Sequence, residues 1–308
     1  MTALALGAIR SDAWFETLFS GVALGAKYAL VALGFVVVFK ATGVINFAQA
    51  SFVVVGGYLC FNAANTWGWN FYLALLFAMV GGALLGLILE FLILRRMAGE
   101  APFTLIMVTI GILFVIDNIV TAIWGPDYHD LADPWGLKTW QWGDVDIAQA
   151  DVWTIGITGV VLVAFFLMFK FSTLGLAMRA SALDQEAALA QGIAPKRVYQ
   201  VAWACAGVVG AVAGAMLASG TGSLRPDMGL IALIAFPAMI LGGLESPGGA
   251  VLGGLIIGLV QQFTALLAPE YLAWIGGGFD RVSPYFVMVL ILLVRPTGLF
   301  GQKEVRRV

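Results

Sequence analysis

Phe71-Tyr-Leu-Ala-Leu-Leu-Phe-Ala-Met-Val-Gly-Gly-Ala-Leu-Leu-Gly-Leu-Ile-Leu-Glu90-Phe-Leu-Ile-Leu94 decides the fold. The run carries one charged residue, Glu90, and stops at Arg95-Arg96. A helix needs roughly 20 mainly apolar residues to cross the hydrocarbon of a bilayer. Working outward from this run, similar segments fill the chain at 16–39, 44–62, 103–124, 152–171, 198–219, 229–243, 249–268 and 283–296. The segments at 44–62, 229–243 and 283–296 are short or rich in Gly and polar residues, which predicts broken or re-entrant pieces.

Composition agrees. The 308 residues are 61% hydrophobic and 11% charged, with a mean hydropathy of +0.96. A soluble domain is typically about 25% charged, so this chain has too few charges to coat a water-facing surface. The expectation is an all-α, polytopic transmembrane bundle forming one membrane domain over residues 1–308. The net charge of −2 and the absence of a basic cluster give no sign of a nucleic-acid partner. Cys60 and Cys205 form no CxxC motif and read as small packing residues. The apolar run Ala3 to Ile9 is short and precedes Arg10, unlike a cleavable signal.

Lys and Arg set the orientation. Lys40, Arg95, Arg96, Lys170, Arg179, Lys196, Arg197, Arg295, Lys303, Arg306 and Arg307 fall on one side if every segment crosses, which makes 11 of the 16 basic residues. That side is expected to be cytoplasmic, with the N-terminus outside and the C-terminus inside. An odd number of crossings, nine or seven, follows.

Two loops stand out. The outer loop 125–151 carries Asp127, Asp130, Asp133, Asp144, Asp146 and Asp151. Trp135, Trp140, Trp142 and Trp153 in and beside it suit the headgroup level. The acids either meet a cationic partner or form a plain solvated loop. The inner loop 172–197 is Ala-rich and charged, and Leu183 to Gln191 is predicted to form a short amphipathic helix. Asp184 and Glu186 stand at its N-terminus, where negative charge suits the helix dipole. Gly192 ends it in a left-handed conformation, and Leu183, Ala187 and Ala190 share a face. Such a helix is either a knob that docks in another protein's groove or an ordinary surface helix.

Glu186-Ala187-Ala188, three residues and then Gly192 resembles the EAA-x3-G signature of ABC-importer permease subunits, without that signature's later Leu-Pro element. Three further blocks resemble the branched-chain amino acid permeases within that group. They are Tyr28 to Gly34 with Gly43-Val-Ile-Asn46-Phe-Ala-Gln49 and Gly56-Gly57-Tyr58; Ala238 to Gly243 with Pro247-Gly248-Gly249-Ala250 and Gly253-Gly254; and Arg295-Pro-Thr-Gly-Leu-Phe-Gly301. The resemblance covers nearly the whole chain. It implies a permease subunit in the inner membrane, paired with a second, homologous permease. Two cytoplasmic ATP-binding subunits and an extracytoplasmic solute-binding protein would complete the importer. Asp184, Glu186, Ala187, Ala188 and Gly192 would form the coupling element, and alternating access would follow from a rigid-body change. The implied solute is a branched-chain amino acid; related permeases handle other amino acids, urea, short amides and aromatic acids.

The chain has no G-x4-G-K-[S/T] motif, so it cannot hydrolyse ATP alone. No catalytic constellation and no cofactor motif occurs, and the lone histidine, His129, reads as a loop surface residue. Polar groups at membrane depth are candidates for the translocation path: Lys27, Asn46, Gln49, Asp117 and Asn118. Asp117 either meets a substrate ammonium or pairs with Lys27. Asn46 and Gln49 either cap a broken helix or line the path. Glu90 either reaches the interface or pairs with Arg95. Gln261 and Gln262 are placed to hydrogen-bond across helices, and Pro237 frees a carbonyl that protein or water must satisfy. Gly210–Gly214, Gly249–Gly253 and Gly254–Gly258 have small-xxx-small spacing for close helix contact. Gly242–Gly243 and Gly248–Gly249 around Pro247 are candidates for unwound, path-lining backbone. A self-contained secondary transporter or channel is the competing class, although no inverted repeat relates the halves.

Overall fold

The structure, a computed structural model, describes residues 11–97, 100–220, 222–271, 274 and 277–301. The run Ala3 to Ile9, Arg10, Lys303, Arg306 and Arg307, which bear on signal and orientation, lie outside the described residues.

The long helices are α1 (Ser11–Thr42), α3 (Phe71–Leu92), α4 (Pro102–Trp124), α5 (Gln149–Phe171), α8 (Pro195–Ala218) and α11 (Pro247–Tyr271). These six are long and apolar enough to cross a membrane. Pro102, Pro195 and Pro247 open three of them, at positions where a missing N–H costs no helical hydrogen bond. The segments expected to be short or broken are so. The second is α2 (Gln49–Phe61), continued by a widened π turn, Asn62–Thr66. The seventh is in pieces: a 3-10 turn (Pro226–Leu230), α9 (Ile231–Ile234) and α10 (Phe236–Gly242). The ninth is α12 (Phe279–Val294), with Pro284 inside it. Pro237 sits in the first turn of α10, so the carbonyl it frees is that of Leu233 in α9, which accepts from the Tyr285 hydroxyl at 3.1 Å.

Two helices form the centre. α1 and α8 bury most of their apolar spans; α4 and α5 expose most of theirs. α11 packs along α1, while α2 and α3 pack along α8. Small residues permit these approaches because helices in lipid gain by van der Waals contact rather than by hydrophobic exclusion. Gly82 meets Gly207 backbone to backbone, and a Cβ on either would strike the other's carbonyl. The three small-xxx-small pairs all sit at contacts. Gly210 faces Phe52 and Gly214 faces Val53; Gly254 and Gly258 lie against Ala29 and Gly25; Gly249 and Gly253 lie against Gly242 and Ala238. Gln261 does bond across helices, accepting from the Tyr28 hydroxyl at 2.8 Å.

The glycines around Pro247 correct the sequence reading. Gly242 and Gly249 close a corner between α10 and α11. The tail docks there, with Leu299 N–H donating to Leu241 O at 2.8 Å and Phe300 N–H to Gly242 O at 3.2 Å. They form a packed corner instead of an unwound passage.

One end of the bundle gathers Lys40, whose Nζ donates to Glu245 O at 3.0 Å, and Arg179, which donates to Phe169 O. The other end gathers the loop 125–148. Asn65 clips it by donating to Asp130 O at 3.0 Å and accepting from Ala132 N–H at 2.9 Å. Asp133 accepts from Gly220 N–H at 2.6 Å and from Gly136 N–H. The loop therefore has more structure than a plain solvated loop. It includes a hairpin, β1 (Thr139–Trp142) and β2 (Val145–Ala148), paired Trp142 to Val145 around Gly143-Asp144. This hairpin is the departure from an all-helical fold among the described residues. Trp135 is buried against Trp153, ring centroids 5.7 Å apart, and against Phe71. Trp140 and Trp142 are exposed, as headgroup-level residues would be.

Candidate functional site

At the Lys40 end, two helices make the loop 172–197. The first, α6 (Thr173–Leu183), carries Leu183 as its last residue, so Leu183 does not share a face with Ala187 and Ala190. Asp184 then adopts an extended conformation and caps α7 (Gln185–Ala190), its Oδ1 accepting from Ala187 N–H at 2.9 Å. Such a cap satisfies one of the orphan N–H groups of the first turn. At the far end Ile193 N–H donates to Ala188 O at 3.0 Å, and Gly192 has φ 83°, the left-handed C-terminal geometry that favours glycine. From Asp184 to Gly192 only Ala188 is buried. The helix is fixed at both ends and stands off the bundle.

Beside it lies a cavity of about 200 Å³ between the ends of α1, α3 and α4 and the start of α8. Thr42, Asn46, Glu90, Glu100, Thr109, Tyr199 and Trp203 supply its polar lining, two carboxylates among them. Glu90 is 1% exposed and pairs with Arg95, Nη2 to Oε2 at 2.8 Å and Nε to Oε1 at 3.3 Å. The Arg95 guanidinium also stacks 4.7 Å from the Phe91 ring centroid. Pairing with Arg95 is thus the alternative that holds for Glu90, an ion pair with its charge satisfied. Thr109 Oγ1 accepts from Phe47 N–H at 3.2 Å, steadying the stretch between α1 and α2.

The remaining residues that the sequence singles out are scattered. Asn46 is buried; its Oδ1 accepts from Ala48 N–H at 3.0 Å, in front of α2, and its Nδ2 has no partner. It caps the break and lines the cavity at once. Gln49 is buried away from the cavity, in a notch left by Gly34, with Nε2 donating to Ala206 O at 3.3 Å. Lys27 does not pair with Asp117: the charge acting on it is Asp151, in the first turn of α5. Asp117 lies toward the other end, where Asp227 and Asp117 both act on the buried Tyr58 hydroxyl. Asn118 is exposed and donates to Phe114 O of its own helix at 2.8 Å. His129 is half-buried, its backbone bridged to Leu224 and its ring against Phe61 and Tyr58. It pins the outer loop and is no plain surface residue. Sequence reasoning misses Tyr199 and Trp203 because nothing in the run Pro195–Ala218 separates a cavity-facing aromatic from a packing one. Their only signal is their place one and two turns past Pro195.

The family described as branched-chain amino acid transport system / permease component matches residues 17–294. The chain belongs to this family. The permease is 30% identical to the high-affinity branched-chain amino acid transport system permease protein LivH of Escherichia coli K12, over 96% of its own length and 98% of the relative's. It is 28% identical to BraD of Pseudomonas aeruginosa, the corresponding high-affinity permease protein, over 96% and 98%. It is 24% identical to the fructose import permease protein FruF of Bifidobacterium longum, over 87% and 73%. Among solved structures, the fold is shared with PsaBC from Streptococcus pneumoniae in complex with Fab, at a TM-score of 0.52 and 14% identity, covering 97% and 98% of the two chains. The family-like blocks have distinct places in the permease. Gly43 to Gln49 forms the break between α1 and α2 and one cavity wall, and Ala238 to Gly254 forms the α10–α11 corner on which the tail docks.

Proposed function

We propose that this chain is the membrane-spanning subunit of an ATP-driven importer for branched-chain amino acids or a closely related small solute. The observation that carries the reading is the segment Asp184–Gly192: capped at one end, closed by a left-handed glycine at the other, and exposed between. An exposed helix with both ends fixed transmits a push to the elements beside it. In this reading it is the contact for a cytoplasmic ATPase, with Asp184, Glu186, Ala187, Ala188 and Gly192 forming its surface and shape. A second permease subunit covers part of the broad apolar faces of α4 and α5, and lipid covers the rest. A solute-binding protein delivers cargo at the end that carries the hairpin.

Residues 1–308 act as one permease domain, with the Lys40, Arg95 and Arg295 end in the cytoplasm and the N-terminus outside. The basic residues at that end support this orientation. The chain works without catalysis or cofactor of its own, drawing on ATP hydrolysed by its partners. Full-length kinship with LivH and BraD supports the substrate class.

The test is uptake of radiolabelled leucine into proteoliposomes that hold the permease with its partner permease, ATPases and binding protein. Uptake is expected only with ATP, and Glu186→Lys and Gly192→Asp are expected to lower it at least tenfold. Full-rate uptake by either variant, or uptake without the ATPases, contradicts the reading.

A further inference from the structure

A second recess lies at the Lys40 end, a groove of about 220 Å³ between α6, the close of α7 and the start of α8. It is open: Thr173, Leu174 and Arg197 in its lining are all exposed. Thr173 and Arg197 supply its polar side chains, and Leu174, Ala177, Val198 and Val201 are apolar. None of the lining residues is acidic, and Arg197 makes no ion pair among the described residues. Lys196 beside it is exposed, and Lys170 stands in the last turn of α5. The groove sits at a membrane boundary. The apolar span of α5 ends at Phe171, just before Thr173, and that of α8 opens at Pro195, just before Arg197. Phe171 and Leu176 near it are 72% and 58% exposed, as side chains that face lipid would be.

We infer that this groove holds the headgroup of an anionic phospholipid. The phosphate sits on Arg197 and Thr173, and the start of the acyl chains runs along Leu174, Ala177, Val198 and Val201. A guanidinium meets a phosphate with paired, charge-assisted hydrogen bonds, and basic pockets between membrane helices on the cytoplasmic side recognise such headgroups. Free phosphate is a poor occupant, because it would leave the apolar lining against water. The lack of an acid selects a headgroup of net negative charge. The ammonium of phosphatidylethanolamine or the choline of phosphatidylcholine would find no carboxylate in the lining and would stand near the like charge of Arg197. The occupant also touches Ile193, whose N–H closes α7 on Ala188 O, so it braces that closing turn against α6 and α8. Placing the lipid in the inner leaflet rests on the orientation proposed above; the groove and its charge do not.

The experiment is photo-cross-linking in nanodiscs that hold the assembled transporter, permease subunits with ATPases, without nucleotide. Phosphatidylglycerol and phosphatidylcholine, each with a diazirine near the glycerol, are compared at equal mole fraction, and peptide mass spectrometry locates the adducts. Phosphatidylglycerol is expected to label segments 173–177 and 193–201 about fivefold more than phosphatidylcholine. Unlabelled phosphatidylglycerol is expected to compete, and inorganic phosphate is not. Arg197→Gln is expected to lower the labelling about fivefold, the effect of one basic residue at an anionic surface. Lys196→Gln, which removes a charge outside the groove, is expected to lower it less. Gel filtration and thermal unfolding of the same preparations confirm that the variants are folded. Equal labelling by the two lipids, competition by phosphate, wild-type labelling of folded Arg197→Gln, or an equal loss in Lys196→Gln overturns the inference. Labelling of the permease subunits alone but not of the assembled transporter gives the groove to an ATP-binding subunit and overturns it too. The labelling uses neither ATP nor cargo, so each of those results leaves the importer function standing. If the groove labels as expected but uptake needs no ATP, the importer function is wrong and the site stands.

Discussion

Gln185 donates from its Nε2 to the Tyr199 hydroxyl at 2.8 Å, tying the first residue of α7 to the wall of the cavity. Fourteen positions separate the two in sequence, and Gly192 and Pro195 lie between them. A push on the exposed helix therefore has a direct route to the start of α8, beyond the covalent chain. Tyr199→Phe removes that route and keeps the ring. The bond is exposed and contributes about 0.5–1.5 kcal/mol at most, so thermal stability is expected to change little. Leucine uptake per ATP hydrolysed is expected to fall several-fold, measured in the proteoliposome assay with parallel phosphate release. An unchanged ratio of uptake to hydrolysis contradicts the link.

Glu90 and Arg95 form an unequal pair: the carboxylate is 1% exposed and the guanidinium 25%. Removing Arg95 strands a buried charge, which typically costs about 3–5 kcal/mol. Because Arg95 keeps some contact with water, the lower end, about 3 kcal/mol, is expected for Arg95→Ala. Arg95→Met combined with Glu90→Gln is expected to recover most of the loss, since no charge is then left buried. Denaturation of the detergent-solubilised permease, followed by tryptophan fluorescence, measures both. An Arg95→Ala permease as stable as the wild type would show the pair to be incidental.

Gly82 and Gly207 set the distance between α3 and α8. A side chain at Gly207 would collide with the Gly82 carbonyl, which is backbone and cannot swing aside. Gly207→Val is expected to cost at least the roughly 1–3 kcal/mol typical of overpacking. Gly111→Val, on open space in α4, is expected to leave the fold intact. Gel filtration and thermal unfolding of the two variants compare them directly, and equal behaviour contradicts the packing account.

Hydrophobic length makes the bundle legible in the sequence, because a bilayer leaves few other ways to bury a run such as Phe71–Leu94. The weak second, seventh and ninth segments are also legible, since glycine, proline and polar residues interrupt them. Gly192 announces the end of α7 through the chemistry of helix C-caps, whereas Asp184 reads as a charge inside the helix start and the fold makes it the cap. Tertiary placement is not legible. Hydropathy cannot say which face of a helix turns inward, so Lys27 stands as a partner for Asp117 in the sequence, although the fold puts Asp151 there. The hairpin is hidden because its strands are four residues each in a loop dominated by Asp and Trp. Gln49 reads as polar and therefore as functional. The fold buries it in the notch at Gly34, a placement that only the packing of α1 against α2 reveals.

Orientation follows from labelling. Leu137, 77% exposed in the hairpin loop, and Leu183, 85% exposed at the end of α6, lie at opposite ends of the bundle. As single cysteines in a background lacking Cys60 and Cys205, they report sidedness with a membrane-impermeant maleimide. Leu137→Cys is expected to label in intact cells and Leu183→Cys only after permeabilisation. The reverse pattern would invert the permease.

The most direct measurement is a cross-link from α7 itself. Leu189 is 57% exposed there, on the surface expected to meet the ATPase. With a photoreactive residue in its place, irradiation of the assembled transporter is predicted to join the permease to an ATP-binding subunit, at a yield that changes when ATP is bound. A cross-link to lipid alone, or to the solute-binding protein, would contradict the account.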